Sequence, residues 1–197
     1  GGRQFTFRDL HARAGRMAAA LRRLGVGPGD VVSWQLPNWF EAPALAAAID
    51  QLGAVSNPII TIYREQEVSF VCRQARAKVL VVPGVVRGVD HRELALAVRA
   101  RSPDLEHVLT VRAAPAGGMQ ALEAVEATAD ASGPPTPPGP HDVAMLFYTS
   151  GTTANPKGVS QTHAAMIRTA RVLVDFDGIA ENDDLLCYLP MAWVGDF

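Results

Sequence analysis

Short apolar runs alternate with longer segments of helical periodicity along the first 111 residues, and this alternation restricts the fold more than any other feature of the chain. Thr6 opens the first helical segment, with Asp9 three residues on as its capping-box partner. Leu10, Ala14, Met17, Leu21 and Leu24 follow at helical spacing, and Gly25 supplies the stop. A turn at Gly27 to Asp30 leads into a strand from Val31 to Leu36. The segment from Asn38 to Leu52 is apolar nearly all round, which marks a buried helix. Pro43 removes an internal hydrogen bond there, so the regular helix is expected to begin after Asn38. Gly53 ends it, and Ala54 to Ser56 is a short strand. Two further cycles are predicted: helix 65–76 with strand 78–82, then helix 91–101 with strand 107–111. Helices alternating with short apolar strands imply an α/β fold, with parallel sheets flanked by helices on both faces.

The character of the chain changes after Arg112. Residues 119–129 form a weak helix at best, and 132–141 is a stiff Pro-rich connector. It divides the sequence into an N-terminal α/β unit, 1–131, and the start of a second α/β unit, 142–197. The second is expected to contain a strand from Val143 to Tyr148, a loop, a helix from Thr162 to Phe176 and a strand from Leu185 to Leu189.

Composition excludes several classes of function. The chain is 48% hydrophobic with a net charge of −2, so it is globular and carries no electrostatic footprint for nucleic acid. Cys72 and Cys187 lie far apart in apolar runs and read as reduced core residues. The longest uncharged stretch, Val143 to Pro156, is too short for a membrane span and is broken by Gly and Pro. No leader pattern is visible, and a cytoplasmic location is expected. His11, His91, His107 and His141 have no ligand spacing, so no metal site is assigned. Asp183 and Asp184 are adjacent on the expected strand and point to opposite faces, which makes them a solvated strand start. The sequence opens at Gly1 and stops at Phe197 without a closing element, and is expected to be part of something longer.

Chemistry concentrates between Tyr148 and Val159, where Thr149, Ser150, Gly151, Thr152, Thr153 and Lys157 fall in one loop. Glycine lets the backbone approach a ligand closely, and successive N–H groups form an anion-binding concavity. Hydroxyls donate to phosphate oxygens, and Lys157 adds a mobile positive charge. A polar turn between strand and helix remains the plain alternative. The loop is not a Walker motif, because Lys157 is followed by Gly158 where Ser or Thr is needed. Nor is Ser150 a nucleophile elbow, because Tyr148 and Thr152 stand where glycines are required.

Tyr148-Thr-Ser-Gly-Thr-Thr with Pro156-Lys-Gly-Val159 resembles the phosphate-loop signature of the AMP-forming acyl-adenylating enzymes. That family includes acyl-CoA synthetases, firefly luciferase and the adenylation domains of peptide synthetases. Phe5 to Leu10, Gly27 to Val32, Leu36-Pro-Asn38, Gly53 to Val55, Asn57-Pro58 and Leu189-Pro-Met191 resemble its other N-terminal landmarks. The resemblance covers the whole chain but less than half of a complete member. It implies the incomplete N-terminal portion of the large adenylate-forming domain. The implied reaction is ATP-dependent activation of a carboxylic acid through an acyl-adenylate, with Mg2+, followed by transfer to the thiol of coenzyme A. Fatty-acid metabolism is among the settings it implies. The acidic magnesium ligand, the ribose-binding Asp and the adenylation lysine would lie beyond Phe197, so the chain alone is expected to be inactive. Two other readings stay open: an adenylation domain serving a carrier protein, and a non-catalytic truncated fragment. Trp193 sits where the family lines its acyl pocket, and a core tryptophan fits equally well. His163 resembles a family histidine, with a first-turn helix residue as the simpler role. Trp34 and Trp39 read as packing and rim residues. The one departure is Ala154, where the family carries Gly. If that position needs a positive φ, alanine strains the loop by about 1 kcal/mol.

Overall fold

A computed structural model describes residues 4–129, 136–149 and 156–192. Its centre is a seven-stranded, mostly parallel sheet with helices on both faces.

Helix α1 (Phe7–Arg23) starts where local chemistry sets it. The Thr6 hydroxyl accepts from the Asp9 N–H at 3.1 Å, and the Asp9 carboxylate accepts from the Thr6 N–H at 2.8 Å. Strand β1 (Val31–Trp34) follows the turn at Gly29, whose N–H donates to Gly53 O at 2.9 Å. Helix α2 (Glu41–Gln51) begins three residues after Asn38. Pro43 therefore falls in its first turn, where backbone N–H groups have no intrahelical acceptor, and the proline is tolerated. Strand β2 (Val55–Pro58), helix α3 (Glu65–Ala75) and strand β3 (Ala77–Pro83) complete the next cycle. A small antiparallel pair, β4 (Val85–Val86) and β5 (Val89–Asp90), leads into α4 (His91–Arg101). Then come β6 (His107–Val111), β7 (Gln120–Ala121) and α5 (Leu122–Thr128), the last much shorter than the 119–129 expected.

Strand β8 (Val143–Thr149) pairs in parallel with β2, Ser56 opposite Met145, so the segment after the Pro-rich connector extends the same sheet. Strand β9 (Lys157–Thr162) pairs antiparallel with β8 and precedes α6 (His163–Asp177). The full order is β7-β6-β3-β1-β2-β8-β9.

Alternation along the strands sorts the core into two layers. Val32, Trp34, Val79, Val81, Leu109 and Val111 face α1, α2 and α5. Leu80, Val82 and Val108 face α3 and α4. Each such side chain contributes about 1.5–3 kcal/mol by leaving water. Buried polar residues are tied laterally: Trp34 Nε1 donates to Ser56 Oγ at 2.9 Å, and Asn57 Nδ2 donates to Ser33 Oγ at 2.8 Å. Gln35 Nε2 donates to Ile60 O and Tyr63 O, fixing the β2–α3 loop to the end of β1. Gly53, at φ +63, lies in the left-handed region, and a Cβ there would stand 3.3 Å from Thr136 O.

Two expectations need correction. Residues 185–189 form no strand; Leu186 is 85% exposed and Tyr188 77% exposed, and among the described residues no strand pairs with them. Cys187 is consequently exposed and not a core residue, whereas Cys72 is buried and its thiol is pushed up to about 12 by burial. Asp183 sits in the turn after α6, where its carboxylate accepts from Ala180 N at 2.7 Å.

Candidate functional site

The polar loop closes an antiparallel hairpin. Strand β8 is anchored by buried Ala144, Met145 and Phe147, and its far end emerges into solvent at Thr149. Strand β9 returns beside it with Lys157 directly opposite Thr149. A hydroxyl and an ammonium group therefore face each other across the hairpin mouth, both exposed. Among the described residues no carboxylate lies within ion-pair distance of Lys157, so its charge is available to an anion. Ser150, Gly151, Thr152, Thr153 and Ala154 lie outside the described residues. The loop was expected to run from a strand towards the α6 helix; β9 intervenes, and it is what turns Lys157 back onto Thr149.

Tyr148 secures the base of the hairpin. Its ring packs against the apolar cluster under α3 and α4, and burial pushes its phenol up. Gly158 lies opposite it across the ladder, and a Cβ on Gly158 would meet Tyr148 Cζ at 3.3 Å. The glycine makes room for the ring.

His163 is the first residue of α6, in the first-turn position expected of it. Thr162 caps that helix by accepting from Ala165 N at 3.2 Å. Trp34 is fully buried, and Trp39 lies under the Arg112 guanidinium, 4.6 Å from its ring centre. Trp193 lies outside the described residues. His91 is buried at the start of α4, with Nδ1 3.2 Å from Val89 O. Among the described residues no group of three His, Cys, Asp or Glu side chains could hold a metal ion, so no residue here is assigned to Mg2+. No helix among them is long and apolar enough to cross a membrane.

The sequence pattern of the AMP-binding enzymes matches residues 1–197, from one end of the chain to the other. The chain belongs to the AMP-binding enzyme family. Within it, the chain is 33% identical over 198 residues to the 2-hydroxy-7-methoxy-5-methyl-1-naphthoate--CoA ligase of Streptomyces carzinostaticus, covering 95% of this chain and 35% of that protein. It is 30% identical over 194 residues to the 2,3-dihydroxybenzoate-AMP ligase of Bacillus subtilis (strain 168), covering 98% and 35%. The fold superposes on ATP-bound MatB from Rhodopseudomonas palustris with a TM-score of 0.82 at 28% identity, over 99% of this chain and 37% of that one. The chain thus spans about a third of the length of these AMP-binding relatives.

One contact was missed in sequence reasoning. Asn38 Nδ2 donates to Leu189 O at 2.6 Å, and Met191 N donates to Asn38 Oδ1 at 2.8 Å. Both residues lie in Pro-containing motifs, Leu36-Pro-Asn38 and Leu189-Pro-Met191, but nothing local in either names the other as its partner.

Proposed function

We propose that the complete protein activates a carboxylic acid with ATP through an acyl-adenylate and passes the acyl group to the thiol of coenzyme A. The observation that carries this reading is the pairing of Thr149 with Lys157 across the mouth of the phosphate-loop hairpin. A carboxylate oxygen of the acid attacks the α-phosphorus of ATP, the bond to the β-phosphate bridge breaks, and pyrophosphate leaves. The Lys157 ammonium and the loop hydroxyls of Thr149, Ser150, Thr152 and Thr153 stabilise negative charge gathering on that leaving group, with Gly151 allowing close backbone approach. Mg2+ would supply further neutralisation of phosphate charge. Trp193 is our candidate for the acyl pocket. The relatives support a ligase, and the naphthoate--CoA ligase among them favours coenzyme A as acceptor. The 2,3-dihydroxybenzoate-AMP ligase supports a second reading, in which a carrier-protein thiol takes that place.

The test is acid-dependent pyrophosphate release by the complete protein and its Lys157→Ala variant. A hydrogen bond to a charged group contributes about 1.5–3 kcal/mol, so the variant should be roughly ten- to a hundredfold slower. A wild-type rate in a correctly folded variant removes the loop from the mechanism.

A further inference from the structure

A cavity of about 280 Å³ opens at the carboxyl edge of the sheet, where α/β proteins place their ligands. One wall follows β1 and β2 and includes Leu36, Ile60 and Ile62. The facing wall is Tyr188, Pro190 and Ala192, from the segment after α6. That segment has no regular structure of its own. It passes from solvent at Tyr188 to the main core at Ala192, which is only 8% exposed, within four residues. The turning point is where Asn38 grips it.

The grip has a specific form. The Asn38 amide donates to the carbonyl of Leu189 and accepts from the N–H of Met191, so one side chain pairs with alternate backbone groups as a neighbouring strand would. Both bonds cross the cavity's rim and join its two walls. The residues they tie are 151 and 153 positions from Asn38, so the contact sets tertiary geometry and not a local turn. Pro190, between the two gripped residues, lacks an N–H, so the first backbone donor after Leu189 is that of Met191. Asn38 is itself exposed, and removing its amide leaves no polar group stranded in the core.

We infer that Asn38 is a positioning residue: it fixes the 189–191 wall, sets the width of the cavity, and thereby governs affinity for the apolar body of the acid. This rests on the functional reading above. Thr149 and Lys157 belong to the β8–β9 hairpin, which these bonds do not touch, so handling of ATP is independent of Asn38.

The experiment compares the complete protein with its Asn38→Ala and Asn38→Asp variants. Asn38→Asp keeps an acceptor for Met191 N and loses the donor to Leu189 O. Two readouts are taken: amide exchange at Met191, and KM for the acid and for ATP in pyrophosphate release. In Asn38→Ala, Met191 exchange should rise about tenfold and acid KM about five- to twentyfold, the lower range for two exposed hydrogen bonds, with ATP KM within about twofold. Asn38→Asp should raise acid KM while protecting Met191 better than Ala does. Unchanged Met191 exchange overturns the grip. Equal rises in both KM values make the role merely structural and overturn the positioning claim. No acid-dependent release by the wild type would overturn the functional reading and the acid-affinity claim together, while exchange at Met191 would still judge the grip separately.

Discussion

Substituting Gly158 by alanine tests how the hairpin holds its loop. The added methyl would stand 3.3 Å from Tyr148 Cζ and 3.4 Å from its Oη, so the ring must move by a few tenths of an ångström. The ring cannot retreat freely, because it also packs on the cluster that includes Val68, Val71 and Cys72. Overpacking typically costs 1–3 kcal/mol, and Tyr148 is only half-buried, so a loss of about 1 kcal/mol is expected. Gly158→Ala in an otherwise open strand position should instead gain about 0.5–1 kcal/mol from reduced backbone entropy. The two effects separate in a double-mutant cycle with Tyr148→Ala. With the ring present, Gly158→Ala should destabilise in urea unfolding and raise KM for ATP, since Lys157 is the neighbouring residue. With the ring absent, the same substitution should be neutral or stabilising. Equal cost in both backgrounds would refute the argument that the glycine exists to seat the ring.

Three further outcomes follow from the structure. Asp90 caps α4 and binds Arg92 through Nη2 at 2.7 Å and Nε at 2.9 Å, and the side-chain bond from Arg92 holds its carboxyl at about 2, below the ordinary 3.8. A depressed carboxyl stabilises the fold above its unfolded value and loses that contribution as pH falls through the folded one. Asp90→Asn should therefore cost about 0.5–1 kcal/mol near neutrality, an exposed-pair magnitude, and the cost should fade as pH falls below 3.8 and through about 2, as read from melting curves across pH. Helix α6 buries none of its residues, and Phe176, Val172 and Leu186 are exposed, so the 197-residue chain by itself should self-associate at micromolar concentration in light scattering; a stable monomer would contradict this. Ala154→Gly in the complete protein should hold or improve ATP use in pyrophosphate-release kinetics, and a marked loss would show that the loop does not need a positive φ there.

What could be read from the sequence was what local chemistry dictates. Thr6 with Asp9 marked the start of α1, and Gly25 its end, because caps act over three or four residues. The start of α2 was foreseen to fall after Asn38 from Pro43 alone. The apolar run 185–189 misled for the opposite reason: a strand needs a partner, and composition cannot say whether one is adjacent. Strand β9 was hidden because Lys157, Gly158, Ser160 and Gln161 read as loop and Thr162 as the start of the helix; its pairing with β8 makes it a strand. The site divided along the same line. The hydroxyls, glycines and lysine between Thr149 and Gly158 lie close together in sequence, so the proposal of a phosphate loop could be made from the residues alone. The facing of Lys157 on Thr149 needed the hairpin, and the Asn38 grip joins residues more than 150 positions apart.

The central claim is that the acid's own carboxylate attacks the α-phosphorus of ATP. It is tested by supplying the complete protein with an acid labelled with heavy oxygen in both carboxylate positions, together with ATP and coenzyme A, and weighing the nucleotide product. Attack at the α-phosphorus leaves one labelled oxygen on AMP, because thiolysis of the acyl-adenylate breaks the acyl carbon–oxygen bond and not the phosphorus–oxygen bond. The account predicts AMP carrying a single heavy oxygen, with unlabelled pyrophosphate. Unlabelled AMP, or label appearing in inorganic phosphate alongside ADP, would contradict it.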